Sequence, residues 1–195
     1  MLIKLFVGLN FDEGNHFAKK IQNYRMRYDE KVVTNSSVYM PLIPPFEIPV
    51  TSLQSLQEEL REELESFFNP EQTMNIGFTG IDVHSYSRKS ILYLKPMGDE
   101  DLGYATESLF QICREHAESR EHAPSKEDKG FLTIGRFTDP SSLHAAISVA
   151  QREFADCTSL PLRGVCLFQK NNGVWYQQND LHQFSLGPSP LSEER

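Results

Sequence analysis

Two short segments place side chains of matching kinds two residues apart: Tyr39-Met40-Pro41-Leu42 and Phe131-Leu132-Thr133-Ile134. Residues i and i+2 of a strand point to one face. Each segment therefore sets an aromatic ring beside Pro41 or Thr133 on a common surface. Proton transfer near neutral pH is poorly served there, because a phenol has a reference pKa of about 10 and a phenyl ring has no proton to give. The chain's six histidines, His16, His84, His116, His122, His144 and His182, are scattered. No pair has metal-ligand spacing or shares a predicted helix face with an acid, so neither a metal site nor a cofactor is expected. Cys113, Cys157 and Cys166 are odd in number and widely spaced, and they read as reduced thiols packed in the core.

The elements that must position these segments follow from periodicity. Leu2 to Phe11 is an apolar run closed by turn-forming residues, the pattern of a buried first strand. Phe17, Ile21, Tyr24 and Tyr28 recur at helical spacing over residues 15–29. Val38 to Ile48 is extended and placed at a sheet edge, since Pro41, Pro44 and Pro45 have no amide hydrogen for a ladder. Thr51 and Gln54 predict a capping box for a helix from Ser52 to Phe68 with the stripe Leu53, Leu56, Leu60 and Leu64. Its acidic outer side is either a docking face for a partner protein or, as is commoner for such helices, a solvated surface.

Met74 to Val83 and Ser90 to Leu94 predict a hairpin around a longer loop, His84 to Lys89, before a helix over residues 100–115. The charged stretch that follows, residues 115–129, reads as a mobile loop. Gly130 to Phe137 is a strand, and Asp139-Pro140 opens a helix, with Asp as N-cap and Pro at the first helical position. Asn171-Asn172-Gly173 turns one last strand pair, Leu160 to Lys170 and Val174 to Leu186. The sum is an α+β chain with a duplicated unit, one domain over residues 1–186 and a disordered tail over 187–195.

Net charge and hydropathy narrow the partners. With a formal charge of -8 and a pI near 5.3, the chain is poorly suited to grip a long nucleic acid, whose affinity comes largely from Lys and Arg. A small nucleotide remains compatible, because net charge governs long-range steering and leaves a local site open. The start, MLIKLFVGLNF, has too short an apolar run for a secretory signal, and no segment reaches transmembrane length. Cytoplasmic residence and no membrane association are the expectations.

The order of elements, with Leu42-Ile43-Pro44-Pro45-Phe46 and Thr133-Ile134-Gly135-Arg136, resembles the 2H phosphoesterase superfamily of 2'-5' RNA ligase-like proteins and cyclic phosphodiesterases. The resemblance covers nearly the whole chain. It implies a two-lobed, pseudo-symmetric fold whose antiparallel sheets form a central cleft with helices packed outside. It also implies two His-x-Thr/Ser motifs, one histidine removing a proton from the attacking oxygen and the other donating one to the leaving oxygen, while the hydroxyls hold the phosphate.

At the matching positions this chain carries Tyr39 and Pro41 in the first motif and Phe131 and Thr133 in the second. It is accordingly expected to be a degenerate, non-catalytic member. Its cleft would be lined by Tyr39, Pro41, Phe131, Thr133 and Arg136, with Arg136 out of phase with Thr133 on an ideal strand. A stacked base, an apolar ligand or a protein partner is the expected occupant. The alternative is an active 2',3'-phosphodiesterase in which His84 or His122 has taken over a lost role.

Overall fold

The computed structural model describes residues 1–31, 37–125, 130–156 and 159–187. Cys157 and residues 188–195 of the expected tail lie outside them. In chain order the elements are β1 (Leu2–Phe11), α1 (His16–Tyr28), β2 (Tyr39–Pro49), α2 (Leu53–Phe67), β3 (Asn75–Tyr86), β4 (Lys89–Pro96), α3 (Glu100–His116), β5 (Leu132–Phe137), α4 (Pro140–Glu153), β6 (Ser159–Asn171) and β7 (Val174–Gln183).

All strand pairs are antiparallel, in the order β2-β1-β6-β3-β4-β5, with β7 also on β6. Strand β6 joins two halves. Its first residues, Ser159 to Pro161, pair with β3, and its remainder pairs with β1 and β7. Helices α2 and α3 pack together against β7 and β2, whereas α1 and α4 pack together against β5. Each end of the sheet thus has its own helix pair.

The apolar run of β1 is buried on both faces. Ile3, Leu5, Val7, Leu9 and Phe11 join the main core, which also takes Leu56, Leu60 and Leu64 from α2 and Leu132 and Ile134 from β5. Phe6 points the other way, into a separate cluster with Cys166 and Phe168. Cys113 and Cys166 are buried free thiols, and burial raises the pKa of both above the usual thiol range, which suppresses the reactive thiolate.

Three helices carry side-chain caps, of which the sequence pointed to Asp139 alone. Asn15 accepts from the Phe17 amide, Asp99 from the Leu102 amide and Asp139 from the Ser142 amide, with Pro140 in the first turn of α4. The capping box predicted at Thr51 does not form. Residues Val50–Ser52 make a 3-10 turn directly after β2, and Ser52 precedes α2 without a side-chain cap. The hairpin is also tighter than predicted: β3 runs on to Tyr86, and Ser87, at φ 53°, turns the chain back. The stretch after α3 is held over its described part, where Glu118 N donates to Glu47 O and Glu47 N to His122 O.

His182, on β7, makes one pH dependence predictable. It is 5% exposed, its ring centre lies 4.7 Å from that of Phe184, and its Nε2 has no partner. Burial lowers its pKa below the usual 6.5. As pH falls through 6.5 the unfolded chain takes up a proton that the folded chain resists, so stability is full above that pH and declines below it. Urea titrations from pH 7.5 to 5 should show this loss, and His182→Phe should remove its contribution to the slope.

Candidate functional site

Tyr39 opens β2 and sits opposite Asn10 of β1. Its ring lies 5.4 Å from Phe6 and 5.1 Å from Phe168, which stack on each other at 4.5 Å and an interplanar angle of 7°. Trp175 of β7 meets Phe6 edge-on at 4.7 Å. These rings form an aromatic cluster on the face of β1, β6 and β7 away from the main core, with Phe6 and Phe168 buried beneath the partly exposed Tyr39 and Trp175. Gly8 makes room for it, because a Cβ there would stand 2.7 Å from Phe6 Cε2 and 3.2 Å from Phe168 Cε2.

Phe131 lies just ahead of β5 and faces a second aromatic group. Its ring centre is 4.2 Å from that of Tyr93 and 5.3 Å from that of His84, which in turn lies 5.8 Å from Tyr86. Thr133 pairs with Tyr93 across the β4–β5 ladder. A register shift there, between Leu92 and Tyr93, leaves Ile134 without a partner residue on β4. The core accordingly receives Leu132, Ile134 and then Phe137, and Arg136 falls on the other side, a change of phase that bulges produce.

Arg136 nevertheless turns to a carboxylate. Its Nη2 donates to Asp29 Oδ2 at 2.6 Å and to the Lys31 carbonyl at 2.8 Å, and its Nε and backbone N–H donate to Asp29 Oδ1. The Asp29 side chain is wholly buried at the C-terminal cap of α1. Arg25, one turn earlier, donates to the Ser37 carbonyl at 3.3 Å. Burial raises the pKa of Tyr39 above the usual phenol value, and the neighbouring Arg25 and Arg136 charges oppose that rise without cancelling it. At neutral pH Tyr39 is a protonated phenol, able to donate and unable to serve as a base.

The two segments meet at their backbones. A Cβ on Gly130 would stand 1.8 Å from the Pro41 carbonyl oxygen, a contact no side chain can occupy. Gly130→Ala should therefore force the segments ahead of Phe131 and beyond Tyr39 apart, and it should cost about 1–3 kcal/mol of stability, readable by urea unfolding.

The two histidines that might replace a lost one are placed very differently. His84 touches the Phe131 group. His122 accepts or donates a bond with Ser119 Oγ at 2.8 Å and lies 3.5 Å from Glu47. Glu47 stands eight residues along β2 from Tyr39, roughly 26 Å at the usual strand rise, so His122 cannot serve that end. Among the described residues no group of three or more His, Cys, Asp or Glu is placed to hold a metal ion, and no helix is long and apolar enough to cross a membrane.

The sequence brought Tyr39, Pro41, Phe131, Thr133 and Arg136 forward, and the structure pairs the last with Asp29. It did not select Phe6, Phe168, Trp175 and Tyr93, which complete both aromatic surfaces, nor Asn10 and Asp29.

Comparison with known proteins supplies the family. The description "2'-5' RNA ligase superfamily" matches residues 14–174. The chain belongs to that superfamily. No curated protein sequence matches it. Among solved structures, LigT of Escherichia coli in complex with 3'-AMP is similar over 95% of this chain and 100% of its own, with a TM-score of 0.52 at 10% identity. A conserved protein of unknown function from Agrobacterium tumefaciens gives a TM-score of 0.52 at 12% identity, over 92% of this chain and 86% of its own. At these identities the likeness speaks for the α+β, antiparallel fold of this 2'-5' RNA ligase superfamily member.

Proposed function

We propose that this superfamily member binds a planar, nucleotide-like ligand in a cleft between its two halves and does not hydrolyse it. One observation carries the reading. The positions that resemble the family's two proton-transferring histidines, Tyr39 and Phe131, are each built into an aromatic group, Tyr39 with Phe6 and Phe168, Phe131 with Tyr93 and His84. Phe6 and Phe168 are themselves buried, so the phenyl and phenol rings open to a ligand here are those of Tyr39, Phe131 and Tyr93, which suit stacking on a base, worth roughly 1–3 kcal/mol per base. Neither ring supplies a base at neutral pH, since Tyr39 stays protonated and Phe131 has no titratable group. Arg136, held by Asp29, positions the end of β5, and Arg25 and Arg136, only partly offset by the Asp29 carboxylate, leave net positive charge near Tyr39, a favourable field for a phosphate.

The test is equilibrium binding of 3'-AMP and 2',3'-cyclic AMP, with hydrolysis followed in the same samples. Saturable binding without product is expected, weakened about tenfold by Phe131→Ala. Absence of binding by the unaltered protein would end this reading.

A second reading has an observation of its own: His84 lies against Phe131 and could transfer a proton there, leaving a slow phosphodiesterase that uses a relocated residue. Turnover lost in His84→Ala would establish it. The protein-docking reading of α2 is weaker, because Glu59 already pairs with His116 and Glu63 with Ser108 of α3.

A further inference from the structure

The β3–β4 hairpin carries a row of rings that leads away from Phe131. Its inner face is apolar, with Ile81, Val83, Leu92 and Leu94 turned to the main core. The alternate residues face outward, among them His84 and Tyr86 on β3 and Lys89, Tyr93 and Lys95 on β4. Cross-strand pairing sets Tyr86 beside Lys89. From the Phe131 ring the row runs 5.3 Å to His84 and a further 5.8 Å to Tyr86, with a tilt of 33° at each step. Unlike Phe6 and Phe168, these rings are open: His84 is exposed, Tyr86 is 47% exposed, and Phe131 and Tyr93 are half-buried. Contiguous surface of this kind marks a binding site, where scattered single rings would not.

Unpaired cations bracket the row. Lys89 stands beside Tyr86, Arg88 lies in the turn, and Lys95 follows Tyr93 by two residues at the other end. Among the described residues none of the three has an ion pair. Against them stands Asp82, which is taken up by a hydrogen bond with Tyr93. From Tyr93 to Lys89 the row spans roughly 13 Å at the usual strand rise. Rings in succession over that length offer more stacking surface than one base covers.

We infer that this face takes a short single strand of nucleic acid, one base on Phe131 and Tyr93, the following bases along His84 and Tyr86, and the backbone phosphates near Lys89 and Arg88. The inference rests on the planar-ligand reading above and extends its ligand from one nucleotide to several. Rings alternating with free cations suit that class, because every base has a flat face and every link between bases a negative charge. An uncharged peptide would use the rings and leave the cations unspent. The formal charge of -8 acts against a long strand and leaves a local contact of this length open.

The experiment titrates the full chain by calorimetry with 3'-AMP and with a triadenylate carrying the same 3'-phosphate, in ribo and deoxyribo forms. The tighter of the two trinucleotides identifies the strand. It should bind at least roughly fivefold more tightly than 3'-AMP, the effect of one further stacked base. Its affinity should also fall more steeply with salt, by about 0.7 in the logarithmic slope for each further phosphate held. Tyr86→Ala should remove most of the gain and Lys89→Gln about 0.7 of the slope, while both leave 3'-AMP binding unchanged. Both side chains are exposed, and an unchanged urea midpoint checks that each variant is folded. Equal binding of 3'-AMP and both trinucleotides overturns the inference and leaves the planar-ligand reading in place, as does a gain that survives in both variants. Binding of none of the three nucleotides overturns both.

Discussion

Asp29→Ala is expected to lower the free energy of unfolding by about 1.5–3 kcal/mol, the worth of hydrogen bonds to a charged group, because the Arg136 side chain it strands is 36% exposed and can be hydrated. Asp29 holds the Arg136 guanidinium and backbone N–H and accepts from the Lys31 amide. It therefore caps α1 and ties it to β5, 107 residues away. Without the carboxylate, the buried Arg25 is left with the like charge of Arg136 that already acts on it and without the Asp29 charge that offsets it. Urea unfolding reads the loss as a fall in midpoint with little change in slope. A fall under 1 kcal/mol would show that water replaces the carboxylate and that the tie is weak. Nucleotide binding should weaken in parallel, since Arg136 loses its anchor.

The triple variant Tyr39→His, Pro41→Thr, Phe131→His should hydrolyse 2',3'-cyclic AMP at least roughly a thousandfold faster than the unaltered protein. A positioned acid or base is worth about a hundred- to ten-thousandfold, and two that act as a unit do not combine as independent factors. The site assigns the roles. An imidazole at position 39 would stand near Arg25 and Arg136, whose charges lower its pKa and keep it a base. One at position 131 would sit against Tyr93 and His84, away from those cations. Each single histidine variant should stay near the unaltered level. A triple variant that folds, binds and remains inert would show that the two halves no longer hold the phosphate in line.

How much of this was legible in the sequence differs by feature, and for physical reasons. Asp139-Pro140 was read correctly because an N-cap and a fixed φ act within one turn. The edge position of β2 was equally local, written in its prolines. The role of Phe6 was hidden because a strand buried on both faces loses the alternation that shows which way each side chain points. The register shift at Ile134 and the Asp29–Arg136 pair depend on partners far along the chain, which periodicity does not report. The capping box failed because β2 runs directly into a 3-10 turn, so Thr51 lies within that turn and does not precede the helix. The phase of Arg136 was anticipated on an ideal strand, and the shift in β5 altered it.

The measurement that bears most directly on binding without turnover is a single-turnover incubation of 2',3'-cyclic AMP with excess unaltered protein, the bound and hydrolysed fractions being quantified together. The nucleotide should be retained on the protein and recovered intact after many hours at pH 7. Adenosine monophosphate accumulating at a rate abolished by His84→Ala would contradict the account and make this chain a working phosphodiesterase.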